Sequence, residues 1–413
     1  MRTAFRVLVF CGLSVVCSTR ASAQQTDQAA TVEEAIRGGS PLLSLRARYE
    51  TADQPGKDRG HAPTLQARFG WRTKPYKSLS VTLEAINVSR AASAYNDTRN
   101  GKTRHPVIAD PTGTDLNRVH LDWTGAPATM VRAGRQSITL DNVRFVGNVA
   151  FRQTWQVFDG VLVENRSLER TRITAAYLGR LRTITGQTDR TDTIVLNANH
   201  AITPSDALVG YGYFQAQPNA IGGAGFSPGA PTDTSNQIIG VRADGARPLV
   251  GEWRLLYTAE VAKQKGYLDG DARIDARYLR LGGGARHGGY SLRVDHEWLG
   301  SNDGQYGFQT PLATKHLFQG WADQFLLTPR QGLRDTFVSG GLPIEKARVI
   351  GEYHRFASDV DDIDFGQELD LAVTYPIAPK LVGRLEYADY RAGDTGVGKT
   401  DLRRIWLTVM YDF

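Results

Sequence analysis

Cysteine is nearly absent from this chain: 413 residues include two, Cys11 and Cys17. Both fall in an N-terminal leader, so the mature protein is expected to carry no thiol, no disulfide and no cysteine metal site. Long apolar runs are missing too. Beyond the leader, nothing approaches the roughly 18 apolar residues of a membrane helix. That excludes a helical span but not a barrel, whose strands alternate apolar and polar residues and so keep a low mean hydropathy, here −0.34. Nor does one charge sign dominate, with 49 Lys and Arg against 43 Asp and Glu. Without the leader's three arginines (Arg2, Arg6, Arg20) the formal charge falls from +6 to +3. This near-balance argues against a nucleic-acid partner, which needs a concentrated basic face.

What is present begins with an export signal. Arg2 and Arg6 precede the apolar run Val7–Val16, and Ala21–Ala23 gives a small-x-small cleavage pattern. Residues 1–23 are expected to be a signal peptide, with the mature chain starting near Gln24. Val16 is too bulky to precede a lipoprotein cysteine at Cys17. Residues 24–41 read as a lead-in, either a short helical turn within Thr31–Gly39 or a disordered segment. Residues 42–413 read as one all-β domain.

In that domain, segments of about 10 residues alternate apolar and polar and then break at Gly, Pro, Asn or Asp. In "LSLRARYE", Leu43, Leu45, Ala47 and Tyr49 share one face, and Arg46, Arg48 and Glu50 the other. "LQARFGWR" (65–72), "EWRLLYTAEV" (252–261, with Leu256 as an apolar intruder), "YSLRVDHEW" (290–298) and "ELDLAVTY" (368–375) repeat the pattern. Short connections such as "TKPYK" (73–77), "TGAPA" (124–128) and "PIAPK" (376–380) alternate with long polar ones near 89–114, 217–235 and 300–331. That is the layout of a transmembrane antiparallel β-barrel with short periplasmic turns and long extracellular loops, here of about 18 strands. The closing segment "RIWLTVMYDF" puts Ile405, Leu407, Val409, Tyr411 and Phe413 on one face. A terminal aromatic strand of this kind is expected to engage the barrel-assembly machinery through Phe413. Together these features place the chain in the outer membrane of a Gram-negative bacterium, in contact with lipid and lipopolysaccharide.

A Lys or Arg facing lipid near the midplane costs about 2–4 kcal/mol, so the polar stripe must line the interior. Alternation therefore predicts Arg46, Arg48, Arg68, Arg72, Arg118, Arg172, Arg254, Arg293, Arg384 and Arg404 inside. It also predicts Glu50, Glu84, Asp122, Glu252, Glu260, Asp295, Glu297, Glu368, Asp370 and Glu386 there, most of them in wall-to-wall ion pairs. A barrel of this width with a polar interior is read as an aqueous channel rather than a packed core.

"GRQSITLDNVRFVGNVAFRQTWQVFDG" (134–160) breaks the pattern. Alternation slips near Gly134–Arg135 and again near Asp159. A glycine bulge would let Arg132 and Arg135 both point inward. Arg144 and Arg152 flank "FVGNVAF" in the third outer loop, where Gly147 and Asn148 permit a bend into the mouth. Two readings stay open on chemistry alone. The arginine forks can receive anionic groups, or Arg144 and Arg152 can pair with Asp141 and Asp159 and pin the loop.

"GRQ" (134–136), "D-x-x-RF-x-G" (141–147), "FRQ" (151–153) and "Q-x-FDG" (156–160) resemble the signature block of the alginate export family of outer-membrane β-barrels. The resemblance implies an eighteen-stranded barrel conducting an anionic saccharide. It implies Arg135, Arg144 and Arg152 as contacts for substrate carboxylates. Gln136, Gln153 and Gln156 would bond sugar hydroxyls, and Asp141 and Asp159 would orient the arginines. The rest of the wall reads as balanced rather than strongly basic.

The expected function is passive passage of anionic or polar oligo- and polysaccharides, alginate-like, with no catalytic residue, metal or cofactor. One alternative is a general diffusion porin. Another is a barrel enzyme using His120 and Asp122, which share the interior face; His296 is expected to face outward. No Gly-x-Ser-x-Gly element appears, and no His/carboxylate set shows convincing metal-ligand spacing.

Overall fold

The alternating segments do form strands, and the strands form one closed sheet. The computed structural model describes residues 28–217, 233–395 and 398–413. The expected signal peptide and both cysteines lie outside the described residues. The first half of the wall is β1 (Ser40–Asp53), β2 (Gly60–Arg72), β3 (Leu79–Arg90), β4 (Gly113–Trp123), β5 (Thr129–Gln136), β6 (Val157–Asn165), β7 (Thr171–Arg182), β8 (Thr188–Thr203) and β9 (Asp206–Ala216). It continues through β10 (Asn236–Pro248), β11 (Trp253–Gly266), β12 (Asp275–His287) and β13 (Tyr290–Leu299). A two-residue hairpin, β14 (Ser301–Asn302) with β15 (Tyr306–Gly307), lies in the next loop and pairs only with itself. The wall is completed by β16 (Leu333–Ile344), β17 (Ala347–Ala357), β18 (Asp364–Ala378), β19 (Leu381–Arg391) and β20 (Leu402–Asp412).

These make an 18-stranded antiparallel barrel. Closure falls to β1, which pairs with β2 from Ser40↔Arg72 to Ala52↔Gly60 and with β20 from Ser44↔Asp412 to Asp53↔Arg403. Every wall strand thus has two neighbours, and no row of backbone N–H and C=O groups is left to face hydrocarbon. The exterior carries the apolar stripe: Leu45, Leu65, Leu83, Ile194, Val241, Val294, Leu371 and Leu407 are all more than a third exposed. A continuous belt of this kind far exceeds the few hundred Å² of exposed apolar patch usual on a soluble monomer, and it matches a bilayer. Trp71, Trp123, Trp253, Tyr290 and Tyr375 form an aromatic rim toward the short-turn end, where interfacial aromatics belong.

The lead-in is ordered. Its helix α1 (Val32–Arg37) is capped by the Thr31 hydroxyl, which accepts from Glu34 N at 3.1 Å. It docks beneath the β2–β3 turn, with Trp71 Nε1 donating to Ile36 O at 2.8 Å and Lys74 N to Ala35 O at 2.9 Å.

Two expectations need correction. Glu252 is not on the interior wall: it is exposed in the turn that precedes β11. The interior is also not uniformly polar. Leu256, Val209, Tyr278 and Trp406 point inward and are fully or almost fully buried. Tyr278 and Trp406 are covered by outer loops that fold into the barrel and bring apolar surface of their own, Phe145 and Phe308 on the first and Phe151 on the second.

Candidate functional site

The third outer loop, residues 137–156, does bend inward. Arg46 on β1 anchors it, with Nε donating to Gln153 Oε1 at 2.8 Å and Nη1 to Ala150 O at 2.6 Å. Arg48 Nη1 donates to Phe151 O at 2.7 Å. On the far wall, Arg144 Nε reaches Glu297 Oε1 of β13 at 2.7 Å. The loop therefore spans the lumen. Asp141, Val143 and Val149 hold left-handed φ of 52°, 60° and 50°, costing on the order of 1–3 kcal/mol each. Hydrogen bonds to the seventh outer loop, residues 300–332, help offset that cost: Val149 N donates to Thr314 Oγ1 at 3.0 Å and Gly147 N to Leu312 O at 2.9 Å. A Cβ on Gly147 would lie 2.2 Å from Thr314 Oγ1, so only glycine permits this approach.

The seventh loop also turns inward. Its Trp321 N and Ala322 N donate to Asp370 Oδ2 (3.3 Å) and Glu368 Oε1 (2.6 Å) of β18. The second loop, residues 91–112, joins them through Asp110, whose Oδ1 accepts from Gln153 N at 2.8 Å. Phe145, Tyr211, Tyr278 and Phe308 pack where the loops meet the wall, with Phe145 5.1 Å from the Tyr211 ring and 5.3 Å from Tyr278.

The eight candidate residues separate into two groups. Arg144, Arg152, Gln136, Gln153 and Gln156 are all less than a tenth exposed and bonded within the protein. Arg152 Nη2 lies 2.6 Å from Asp323 Oδ2, and Nη1 lies 3.1 Å from Glu50 Oε2. Neither Arg144 nor Arg152 pairs with Asp141 or Asp159, although both do pin the loop. Asp141 accepts from Asn197 at 2.6 Å. Gln153 Nε2 donates to Thr64 at 2.8 Å, Gln156 Nε2 to Gly147 O at 2.8 Å, and Gln136 Nε2 to Gly160 O at 3.2 Å. Arg135 and Asp159 remain partly open to the lumen and form a two-pronged pair at 2.7 and 2.9 Å. Both arginines of β5 point inward, as a bulge would allow. Gly134 has φ +123° between them, and the β6–β7 register shifts at Asp159/Gly160.

Below the loops, the β1–β7 wall is rich in cations. Arg68 and Arg118 share Glu84 at 3.6 and 2.5 Å. Arg132 and Arg72 share Asp122 at 2.6 and 3.5 Å. Arg135 and Arg182 share Asp115 at 3.5 and 2.6 Å. Arg135 is also held by Asp159, so the Asp115 cluster is balanced, whereas the Asp122 cluster has two arginines on one carboxylate and a net positive charge. His120 Nδ1 also contacts Asp122 Oδ1 at 3.1 Å, so the His/Asp pair of the enzyme reading sits inside one of these clusters. His296 lies on the outer face, bonded to Thr336 Oγ1 at 2.8 Å.

Composition and alternation missed Lys315. It is half-buried on the seventh loop, in a short 3₁₀ turn, Lys315–Leu317. Among the described residues no ion pair or hydrogen bond to its ammonium is seen. Burial, with Arg144 nearby, pushes it down to about 8. The signal available in the sequence was "TKH" in a long loop, too weak to place. Also missed was a set assembled by β17 and β18, in which Glu352, His354 and Asp370 bring ligand atoms within 4.8 Å of one another.

No family model matches the chain, and no curated protein does either, so the alginate-export resemblance gains no support there. Solved structures do match. OccK9 (OpdG) of Pseudomonas aeruginosa superposes with TM-score 0.70 at 16% identity, covering 92% of this chain and 99% of that one. The outer membrane protein opdK of Pseudomonas aeruginosa gives TM-score 0.69 at 14% identity, covering 92% and 99%.

This is an outer-membrane porin fold.

A third match, OccK2 (OpdF) of Pseudomonas aeruginosa, was solved in complex with glucuronate and gives TM-score 0.68 at 11% identity, covering 92% and 99%. OpdK has also been solved with vanillate. The porin barrel and its eighteen strands thus agree with the turn-and-alternation reading.

Proposed function

We propose that this porin-fold barrel is an outer-membrane channel through which small organic anions, carboxylates above all, diffuse down their gradient. The observation that carries this reading is Lys315, an ammonium without a protein partner among the described residues, held beside Arg144 on a loop inside the lumen. Support comes from the arginine pairs that share Glu84 and Asp122 on the same wall. An anion drawn to Lys315 can pass to these clusters in turn. Each site is already partly neutralised, so binding is weak enough to permit release, as conduction requires. In this reading Arg135 and Asp159 line the path, while Arg144, Arg152, Gln136, Asp141, Gln153 and Gln156 shape the loop that narrows it.

The saccharide expectation narrows accordingly. Three inward loops favour a single sugar acid or a short oligomer over a long alginate-like polymer. OccK2 with glucuronate and OpdK with vanillate supply carboxylate precedents on the same fold. The apolar belt contacts lipid, the outer loops meet lipopolysaccharide, and the Phe413 strand is the element offered to the assembly machinery.

Swelling of proteoliposomes tests the reading. Glucuronate should enter faster than glucose, a neutral sugar of similar size, and Lys315→Gln should remove most of that preference. Equal rates for the two solutes would instead make this a general diffusion porin.

A further inference from the structure

We propose that Glu352, His354 and Asp370 form a binding site for one divalent transition-metal ion of the Zn²⁺ type in the lumen wall. The proposal rests on the barrel alone and is independent of what the channel passes. Strand alternation puts Glu352 and His354 on the same inward face of β17. The register then sets Asp370 opposite Glu352, and Glu368 opposite His354. His354 Nε2 lies 3.5 Å from Glu352 Oε2 and 3.7 Å from Asp370 Oδ2. Tetrahedral Zn²⁺ with bonds of about 2.0–2.2 Å places its ligand atoms roughly 3.3–3.5 Å apart, so the two histidine–carboxylate distances already fit, and the two carboxylates, within 4.8 Å, would draw together around the ion.

The imidazole is prepared for this role. Its Nδ1 lies 3.0 Å from both oxygens of Asp335, to which it donates, and this turns Nε2 toward the other carboxylates. That is how a carboxylate orients a metal-binding histidine from behind. Phe337 and Phe356 stack against the ring at 4.6 and 5.5 Å. His354 is 2% exposed, yet its Nε2 makes no hydrogen bond of good geometry and is aimed at Glu352 and Asp370. Orphaned buried polar atoms are rare. One imidazole stands among four carboxylates (Asp335, Glu352, Glu368, Asp370), with Arg280 also acting on Asp335, and a dication would offset the negative charge that remains. Because Asp370 and Glu368 also accept from Trp321 N and Ala322 N, a bound ion would stiffen the attachment of the seventh loop. Glu368 Oε2 or a water is available for the fourth position.

The test uses the full, folded chain in detergent, stripped with chelator, dialysed against Zn²⁺ and measured by plasma mass spectrometry. One Zn²⁺ per chain is expected, falling at least tenfold in Glu352→Gln and His354→Gln that still migrate as the folded band. Glu352 is only half-buried and does not hold the loop, so its variant can be read even if His354→Gln fails to fold. No Zn²⁺ above background in the native chain, or undiminished Zn²⁺ in folded Glu352→Gln, would overturn the site and leave a protonated His354 with Arg280 as the cluster's counter-charge.

Discussion

Arg144 and Glu297, 153 residues apart in sequence, meet at 2.7 Å with both side chains only 1% exposed. This contact ties the third outer loop to β13 and sets how far the loop reaches across the lumen. A buried pair loses about 3–5 kcal/mol when one partner is removed, because the other charge is stranded. Arg144→Ala should therefore free the loop, raise single-channel conductance and lower the temperature at which the folded band is lost. Unchanged conductance would mean that the loop is held without Arg144.

Lys315 gives the channel a pH response. Its ammonium is pushed down to about 8, against about 10.4 for a free lysine. It carries its charge at pH 6–7 and loses it as pH rises through about 8, so anion preference should fall between pH 7 and 9. Lys315→Gln should flatten that profile. The sign for stability is the reverse: the folded pKa is the lower one, so the charge costs stability below about pH 8, and the cost is relieved as pH rises toward the free value.

Arg132 and Arg152 are arginines of different kinds. Arg132 is a quarter exposed and shares Asp122 with Arg72 and His120, so Arg132→Ser leaves Asp122 two other partners and should cost less stability than Arg152→Ser while reducing anion selectivity. Arg152 is buried between Glu50 and Asp323, so Arg152→Ser should chiefly impair folding. Unfolding temperatures and reversal potentials measured on both variants separate the two effects.

Gly134 marks the place where strand regularity gives way. A Cβ there would lie 2.3 Å from Val119 O, in a backbone with φ +123°. Gly134→Ala should destabilise by on the order of 1–3 kcal/mol from backbone strain alone, seen as a lower yield of folded barrel. A normal yield would show that the β4–β5 pairing can shift to accommodate it.

The wall was legible because period-two alternation is dictated by lipid on one side and water on the other. Leu43, Leu45 and Tyr49 face out while Arg46, Arg48 and Glu50 face in, and no tertiary detail is needed to see it. The slip at Gly134 was legible for the same reason. Partners were not. Arg144 finds Glu297 and Arg152 finds Glu50 and Asp323, because the path of an inward loop depends on contacts among three loops that carry no periodic signal. Trp406 shows the same limit. Its place in the polar stripe makes sense only once Phe151 and His316 are seen packing on it, at 5.8 and 5.9 Å. Glu352, His354 and Asp370 were missed because their proximity is set by the register between two strands, which spacing along one strand cannot reveal.

The central claim is that solutes cross the lumen past unpaired positive charge. The most direct test is the reversal potential of the native barrel in a planar bilayer under a potassium glucuronate gradient. The account requires a potential of the sign set by the anion, shifted toward zero in Lys315→Gln. A cation-selective potential, or one that Lys315→Gln and Arg132→Ser both leave unmoved, would contradict it.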